Sequence, residues 1–71
     1  MEVFVFPNPV KDKVFIQGAE NPAYRLYDVS GKLLQEGEGN ELKLPRPTGL
    51  YFLEVEKDGL QQRLKILRSS P

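Results

Sequence analysis

Residues 50–67 read LYFLEVEKDGLQQRLKIL and contain the clearest strand signal of the chain. Apolar residues recur at every second position, at 51, 53 and 55 and again at 64 and 66, which is the two-residue period of strands buried on one face. Lys57-Asp58-Gly59 stands between them, and the Asp-Gly pair is typical of a tight hairpin turn. One face carries Tyr51, Leu53 and Val55 in the first strand, and Leu64 and Ile66 share a face of the second. The stretch therefore predicts an antiparallel β-hairpin.

Five more strands are predicted upstream, each short and bounded by turn residues. They span residues 3–6, 13–17, 23–29, 32–36 and 41–44. Two prolines fix an extended turn at Pro7-Asn8-Pro9. Asp28-Val29-Ser30-Gly31 predicts a tight turn, in which Asp28 accepts a hydrogen bond from the backbone two residues on and Gly31 suits a positive φ. Seven strands about ten residues apart predict an antiparallel sandwich or barrel without a helix.

The length of 71 residues, with zero net charge and 39% hydrophobic residues, indicates one small folded domain. We predict a single folding unit over residues 1–71, ordered from about residue 3 to residue 67. The tail of residues 68–71 is expected to fray, as chain ends without partners do.

The absence of two residue types excludes much chemistry. The chain has no His, so it has no imidazole base, and no Cys, so it has no disulfide, thiolate nucleophile or zinc knuckle. We expect no enzymatic activity, no cofactor and no bound metal. The zero net charge argues against a nucleic-acid partner, which requires clustered Lys and Arg. No apolar run approaches the roughly 18 residues of a transmembrane segment.

Two groups of carboxylates resemble sites, but each has a simpler explanation. Glu54 and Glu56 share a strand face roughly 7 Å apart, where acids usually serve solvation rather than catalysis. Oxygen ligands for calcium are offered by Asp28, Glu36, Glu38 and Glu41. These acids lack EF-hand spacing and lie around glycine turns, where charge is common, so we expect no calcium site.

Three aromatic residues fall on the face opposite the expected core: Phe15, Tyr27 and Phe52. Such a face would suit stacking on sugar rings or an interface with another protein. The simpler interpretation is that both faces of the sheets are partly covered.

The last strand carries Arg63, Lys65 and Arg68 without an acid among them. Charge on an edge strand protects it from pairing with other chains, which is the simpler interpretation of this basic stripe. The functional interpretation is an electrostatic contact for a partner.

Motifs follow one another along the chain in a definite order. They are Phe6-Pro7-Asn8-Pro9, then Asp12-Lys13-Val14, the strand and turn of residues 24–33, the strand of residues 48–55 after a proline loop, and the basic end Lys65-Ile66-Leu67. The series closely resembles the C-terminal sorting domain of the type IX secretion system, also called the Por secretion system, over about residues 3–67. Each motif alone is weakly specific, and the order and spacing account for the resemblance.

The resemblance implies an immunoglobulin-like antiparallel β-sandwich of about seven short strands that performs no chemistry. It implies a sorting signal at the end of a larger secreted cargo protein in a Gram-negative bacterium, in transit through the periplasm and then at the cell surface or outside. The implied partners are the outer-membrane translocon with its shuttle protein and the N-terminal cargo domain. A further implied partner is a sortase-like surface peptidase that removes the domain and attaches the cargo.

The family motif maps onto Pro7, Asn8, Pro9, Asp28, Gly31, Lys32, Gly49, Tyr51 and Lys65. Most of these residues are expected to serve the fold. The prolines would rigidify the junction with the cargo, the glycines would allow backbone geometries that a Cβ disfavours, and Tyr51 would fill the core with its hydroxyl on a backbone partner. Lys65 and its neighbours Arg63 and Arg68 are the candidates for partner contact.

Two features depart from the family pattern, and one alternative function stays open. Residues 68–71 follow the basic strand at which members typically end, and cleavage in the family occurs upstream of the Pro-Asn-Pro strand, outside this sequence. The alternative is an accessory module of a surface enzyme, which would bind carbohydrate through Phe15, Tyr27 and Phe52 or bind a protein. A designed minimal sandwich would share the fold and have neither activity.

Overall fold

A computed structural model describes residues 2–69, which contain seven strands and no helix. The strands are β1 (Phe4–Phe6), β2 (Lys13–Gln17), β3 (Ala23–Tyr27), β4 (Leu33–Glu38), β5 (Glu41–Lys43), β6 (Gly49–Lys57) and β7 (Leu60–Arg68). The predicted all-β chain of seven strands is confirmed. Several predicted boundaries were wrong by one or two residues: β3 ends at Tyr27 rather than at residue 29, and β4 continues through Gly37, which pairs with Tyr24. The Tyr24 ring lies where a Cβ on Gly37 would point, so the glycine makes room for it.

The strands form two antiparallel sheets. The small sheet has the order β1-β2-β5, and the large sheet has the order β4-β3-β6-β7. This arrangement is consistent with an immunoglobulin-like sandwich, so the expected fold class is confirmed. β7 forms one edge of the large sheet, and an isolated parallel bridge between Val10 and Arg68 links it to the segment between β1 and β2.

The core lies between the two sheets and follows the alternation of the sequence. Its buried residues are Val3, Val10, Val14, Ile16, Leu42 and Leu44 from the small sheet and its loops, and Leu26, Tyr51, Leu53, Val55 and Ile66 from the large sheet. Burying one such side chain stabilises the fold by roughly 1.5–3 kcal/mol. In β6 every second residue points inward, which leaves the residues between them on the outer face of the large sheet.

A two-residue turn joins β6 to β7 and fixes their register. Lys57 pairs with Leu60, and the intervening Asp58 and Gly59 have φ angles of 52° and 79°. Positive φ at both central positions is what a type I′ hairpin turn requires, and Asp-Gly supplies it. The predicted hairpin is confirmed, and its register sets Lys65 opposite Phe52.

Candidate functional site

The outer edge of β7 is closed by the segment that follows β1. The side-chain amide of Asn8 donates to the Lys65 carbonyl at 3.4 Å and accepts from the Leu67 N–H at 3.2 Å. The Val10 N–H donates to the Leu67 carbonyl at 2.7 Å, and the Val10 carbonyl accepts from the Ser69 N–H at 2.8 Å. An uncovered edge is a template for pairing with other chains, so these bonds protect the second half of β7.

Pro7 and Pro9 flank Asn8, and each follows a cis peptide bond. Proline has no N–H to offer a neighbouring strand, and the Asn8 side chain supplies both a donor and an acceptor beside them. The prediction that the tail frays was wrong for Arg68, which ends β7, and for Ser69, which is hydrogen-bonded. Ser70 and Pro71, the rest of that predicted tail, lie outside the described residues.

A second side-chain amide joins β7 to the start of the small sheet. Gln62 accepts from the Val3 N–H at 2.8 Å and donates to the Val3 carbonyl at 3.1 Å. The amide therefore bonds to Val3 as a neighbouring peptide group would. No local signal indicates this contact, because the two residues are 59 positions apart and Gln62 stands in the polar run Gln61-Gln62-Arg63.

The three basic residues of the last strand do not form one stripe. Arg63 and Lys65 point to the outer face of the large sheet, whereas Arg68 belongs to the alternate set and has a side chain only 12% exposed. Its Nε donates to the Arg46 carbonyl at 3.1 Å, and its Nη1 lies 4.0 Å from a carboxylate oxygen of Asp12. The expected contiguous stripe was therefore wrong, since Arg68 ties the end of β7 to two loops.

Arg63 belongs to a ladder of alternating charges that crosses the whole large sheet. The order is Glu36 on β4, Arg25 on β3, Glu54 on β6 and Arg63 on β7, with N···O distances of 3.5, 3.7 and 3.7 Å. The Arg63 guanidinium also lies 5.7 Å from the centre of the Tyr27 ring. Glu54 is thus held between two guanidinium groups, which favours a structural role over a catalytic pair with Glu56.

Lys65 is the basic residue of β7 that stays exposed and has no ion pair within residues 2–69. The pairing register places it in one row with Phe52 and Tyr27 on the outer face. Leu67, 48% exposed, follows Lys65 on the same face. We call Tyr27, Phe52, Lys65 and Leu67 the β7 patch, which combines one cation with partly exposed apolar side chains.

The remaining motif residues lie in turns and in the core. Asp28 Oδ1 accepts hydrogen bonds from the Ser30 hydroxyl at 2.6 Å, the Ser30 N–H at 2.9 Å and the Lys32 N–H at 3.0 Å. The hydrogen bond from the Ser30 hydroxyl, together with the two from backbone N–H groups, lowers the pKa of Asp28. Gly31 has a φ of 91°, which confirms the predicted turn.

Tyr51 and Gly49 belong to β6 and its entry. Tyr51 is buried among the core side chains, and its hydroxyl donates to the Pro47 carbonyl at 2.6 Å. Gly49 has a φ of 132°, a conformation that residues with a Cβ rarely adopt. These contacts give both residues a place in the fold rather than on a contact surface.

The expected aromatic platform is divided between the two sheets. Phe15 lies on β2 in the small sheet, whereas Tyr27 and Phe52 are paired neighbours in the large sheet. Both sets face outward from a shared core, so they point to opposite sides of the sandwich. The three rings therefore do not form one surface for a sugar.

The acids weighed as calcium ligands are spread over the molecule. Glu36 pairs with Arg25, Glu41 pairs with Lys13 at 3.5 Å, and Asp28 is engaged in its turn. Within the described part of the chain, no group of three or more candidate ligands is arranged to hold a metal ion. The same residues include no helix long and apolar enough to cross a membrane.

Comparison with known proteins identifies the family. Residues 4–68 match the model of the secretion system C-terminal sorting domain, which is nearly the whole chain. No curated protein matches the chain. Domains of this family are tails of larger cargo proteins destined for the cell surface or the outside, and the family is one of signals rather than catalysts. The chain belongs to the family of C-terminal sorting domains of the type IX secretion system.

Proposed function

We propose that this domain directs its cargo through the outer-membrane translocon by presenting the β7 patch to the translocon or its shuttle protein. The observation that supports this choice is the position of Lys65. It is exposed, lies beside Phe52 and Leu67, and has no acidic partner in residues 2–69. Apolar surface next to an unpaired cation suits a protein partner with a complementary anionic group.

The neighbouring basic residues have a supporting role in this proposal. Arg63 forms an ion pair with Glu54 and lies over the Tyr27 ring, and Arg68 is hydrogen-bonded to the Arg46 carbonyl in a loop. Arg63 flanks the patch, while Arg68 and Asn8 hold the end of β7 in place. Truncation after Gly59 would remove Lys65 and Leu67 of the patch together with their strand, so cargo carrying that truncation should remain in the periplasm.

Removal of the domain by a sortase-like surface peptidase, with attachment of the cargo to the surface, is part of the same proposal. The chain from Val3 onward is tied to β7 through Gln62 and packed into the core. A peptidase needs an accessible extended backbone, so we place the cut upstream of Val3. The transit of the cargo through the periplasm is likewise proposed from the family.

The test is export of a reporter that carries residues 1–71 at its C-terminus behind a signal peptide. Export is measured in a bacterium with the type IX system and in a matched strain that lacks the translocon. We expect reporter at the surface or in the medium of the first strain alone. Retention in the periplasm of both strains, with the domain folded, would overturn the proposal and favour a binding module.

A further inference from the structure

The outer face of the small sheet exposes three phenylalanines that the fold does not use. Phe4, Phe6 and Phe15 are 58%, 47% and 37% exposed, and their neighbours Val5, Val14 and Ile16 point into or against the core. Phe6 and Phe15 are opposite each other, with ring centres 5.6 Å apart. We call these three residues the Phe face. At roughly 200 Å² per aromatic side chain, it leaves about 280 Å² of apolar surface in water.

The size of the Phe face argues against a stable protein interface. The strands of the small sheet have only three, five and three residues, and the exposed apolar surface of the Phe face amounts to the same value of about 280 Å². A stable dimer or complex buries about 800 Å² on each partner. The face alone is too small for a second copy of the chain or a folded protein, whereas a few aromatic side chains are enough to enter a lipid surface.

Ring geometry argues against a sugar as the occupant. The planes of Phe6 and Phe15 are inclined by 26° and stacked on one another. Sugar rings stack on a free aromatic face, and here the two rings turn their faces toward each other. Their exposed surface is hydrocarbon without hydrogen-bonding groups, which suits acyl chains.

The charges next to the Phe face favour an anionic lipid. Lys13 and Lys43 are paired across β2 and β5, are both exposed, and lie in the row beside Phe15. Lys13 pairs with Glu41 of the same face at 3.5 Å, and Lys43 has no ion pair within residues 2–69. Among the paired residues of β2 and β5, Lys13, Lys43 and Glu41 thus leave one net positive charge beside the apolar centre. A lysine near an anionic membrane surface strengthens binding about fivefold.

We propose that the Phe face binds the surface of an anionic phospholipid membrane, with the rings at the boundary between the headgroups and the acyl chains. The β7 patch lies on the other side of the sandwich, so a domain held at a membrane by its small sheet still presents β7 to a protein. The biological role of such binding rests on the proposed function, since it would confine the sorting domain to the leaflet that holds the translocon. The binding itself requires no translocon.

The test is co-flotation of the purified 71-residue domain with phosphatidylcholine vesicles, with and without phosphatidylglycerol. We expect the domain to float with the anionic vesicles, about fivefold less well after Lys43→Gln, and not at all after Phe4→Ser/Phe6→Ser/Phe15→Ser. The matched control is Leu33→Ser/Leu60→Ser, which removes two similarly exposed apolar residues from the large sheet and should leave flotation unchanged.

A second readout covers the case in which the triple variant fails to fold. The chain has no Trp, so Phe4→Trp gives a single tryptophan as a fluorescent reporter in the Phe face. Its emission should shift to the blue with anionic vesicles and stay unchanged with zwitterionic ones. Absence of both flotation and shift would overturn the inference, as would a wild-type dimer in sedimentation that the triple variant abolishes. Reporter export without vesicle binding would refute membrane binding by the Phe face and leave the sorting proposal intact. Vesicle binding without reporter export would refute the sorting proposal alone.

Discussion

Replacing the half-buried Gln62 by Leu should destabilise the domain by removing its two hydrogen bonds to Val3. The substitution removes the bonds of 2.8 and 3.1 Å to Val3, a residue only 1% exposed, so its N–H and carbonyl lose their partners. Each such bond contributes about 0.5–1.5 kcal/mol, which gives about 2 kcal/mol for the pair. In a domain of this size that loss corresponds to a fall of roughly 8–16 °C in melting temperature.

Urea unfolding with linear extrapolation measures the effect, and hydrogen exchange locates it. The midpoint should fall without a change in slope, because the same surface is exposed on unfolding. Exchange of the Val3 amide should accelerate more than that of core amides in β6. Gln61→Leu is the control, since Gln61 is an exposed neighbour on the same strand. A Gln62 variant as stable as wild type, or a Gln61 variant equally destabilised, would refute the account of how β7 is joined to the small sheet.

Three further substitutions test other parts of the account. Hydrogen bonds from Ser30 and the backbone lower the pKa of Asp28 below 3.8, so the stability that the carboxylate contributes is present above that pH and is lost as the pH falls through the lowered pKa. Asp28→Asn should therefore reduce the dependence of the melting temperature on pH in this acidic range. The same pH dependence in the variant and the wild type would contradict this role. Tyr51→Ala should cost about 3–5 kcal/mol in thermal unfolding and Tyr51→Phe about 1 kcal/mol, and a stable alanine variant would mean that the ring is not needed in the core. Asn8→Ala should speed exchange of the Leu67 amide and cost about 1 kcal/mol, because its two bonds are long; unchanged exchange would show that the edge is closed by Val10 alone.

Local patterns were sufficient to predict the strands and the sides of each strand. The alternation in β6 assigned Tyr51, Leu53 and Val55 to the core, and Asp58-Gly59 located the hairpin. The same alternation already separates Arg68 from Arg63 and Lys65, since residues 63 and 65 share a face that residue 68 does not. The basic stripe was an error of grouping by sequence proximity, which ignores the two-residue period.

Long-range relations could not be predicted in the same way. Alternation shows which side of its own strand a residue occupies, but not which sheet that strand joins, so Phe15 was grouped with Tyr27 and Phe52. The contacts of Gln62 and Asn8 join residues 57–59 positions apart. The side-chain amide of Asn40 donates to the carbonyls of Ile16 and Ala19. The sequence around Asn40 indicates only a turn, because these partners depend on the tertiary arrangement of distant segments.

The most direct test of the β7 patch is export of the reporter fusion with Lys65→Glu compared with Lys11→Glu. Both lysines are exposed and have no ion pair in residues 2–69, and Lys11 lies in the loop between β1 and β2, so each substitution changes the charge equally. Thermal melting of both purified domains shows that each is folded. The account predicts that Lys65→Glu leaves the reporter in the periplasm while Lys11→Glu exports it as wild type does. Equal export of the two variants would contradict the claim that the translocon or its shuttle binds the outer face of the last strand.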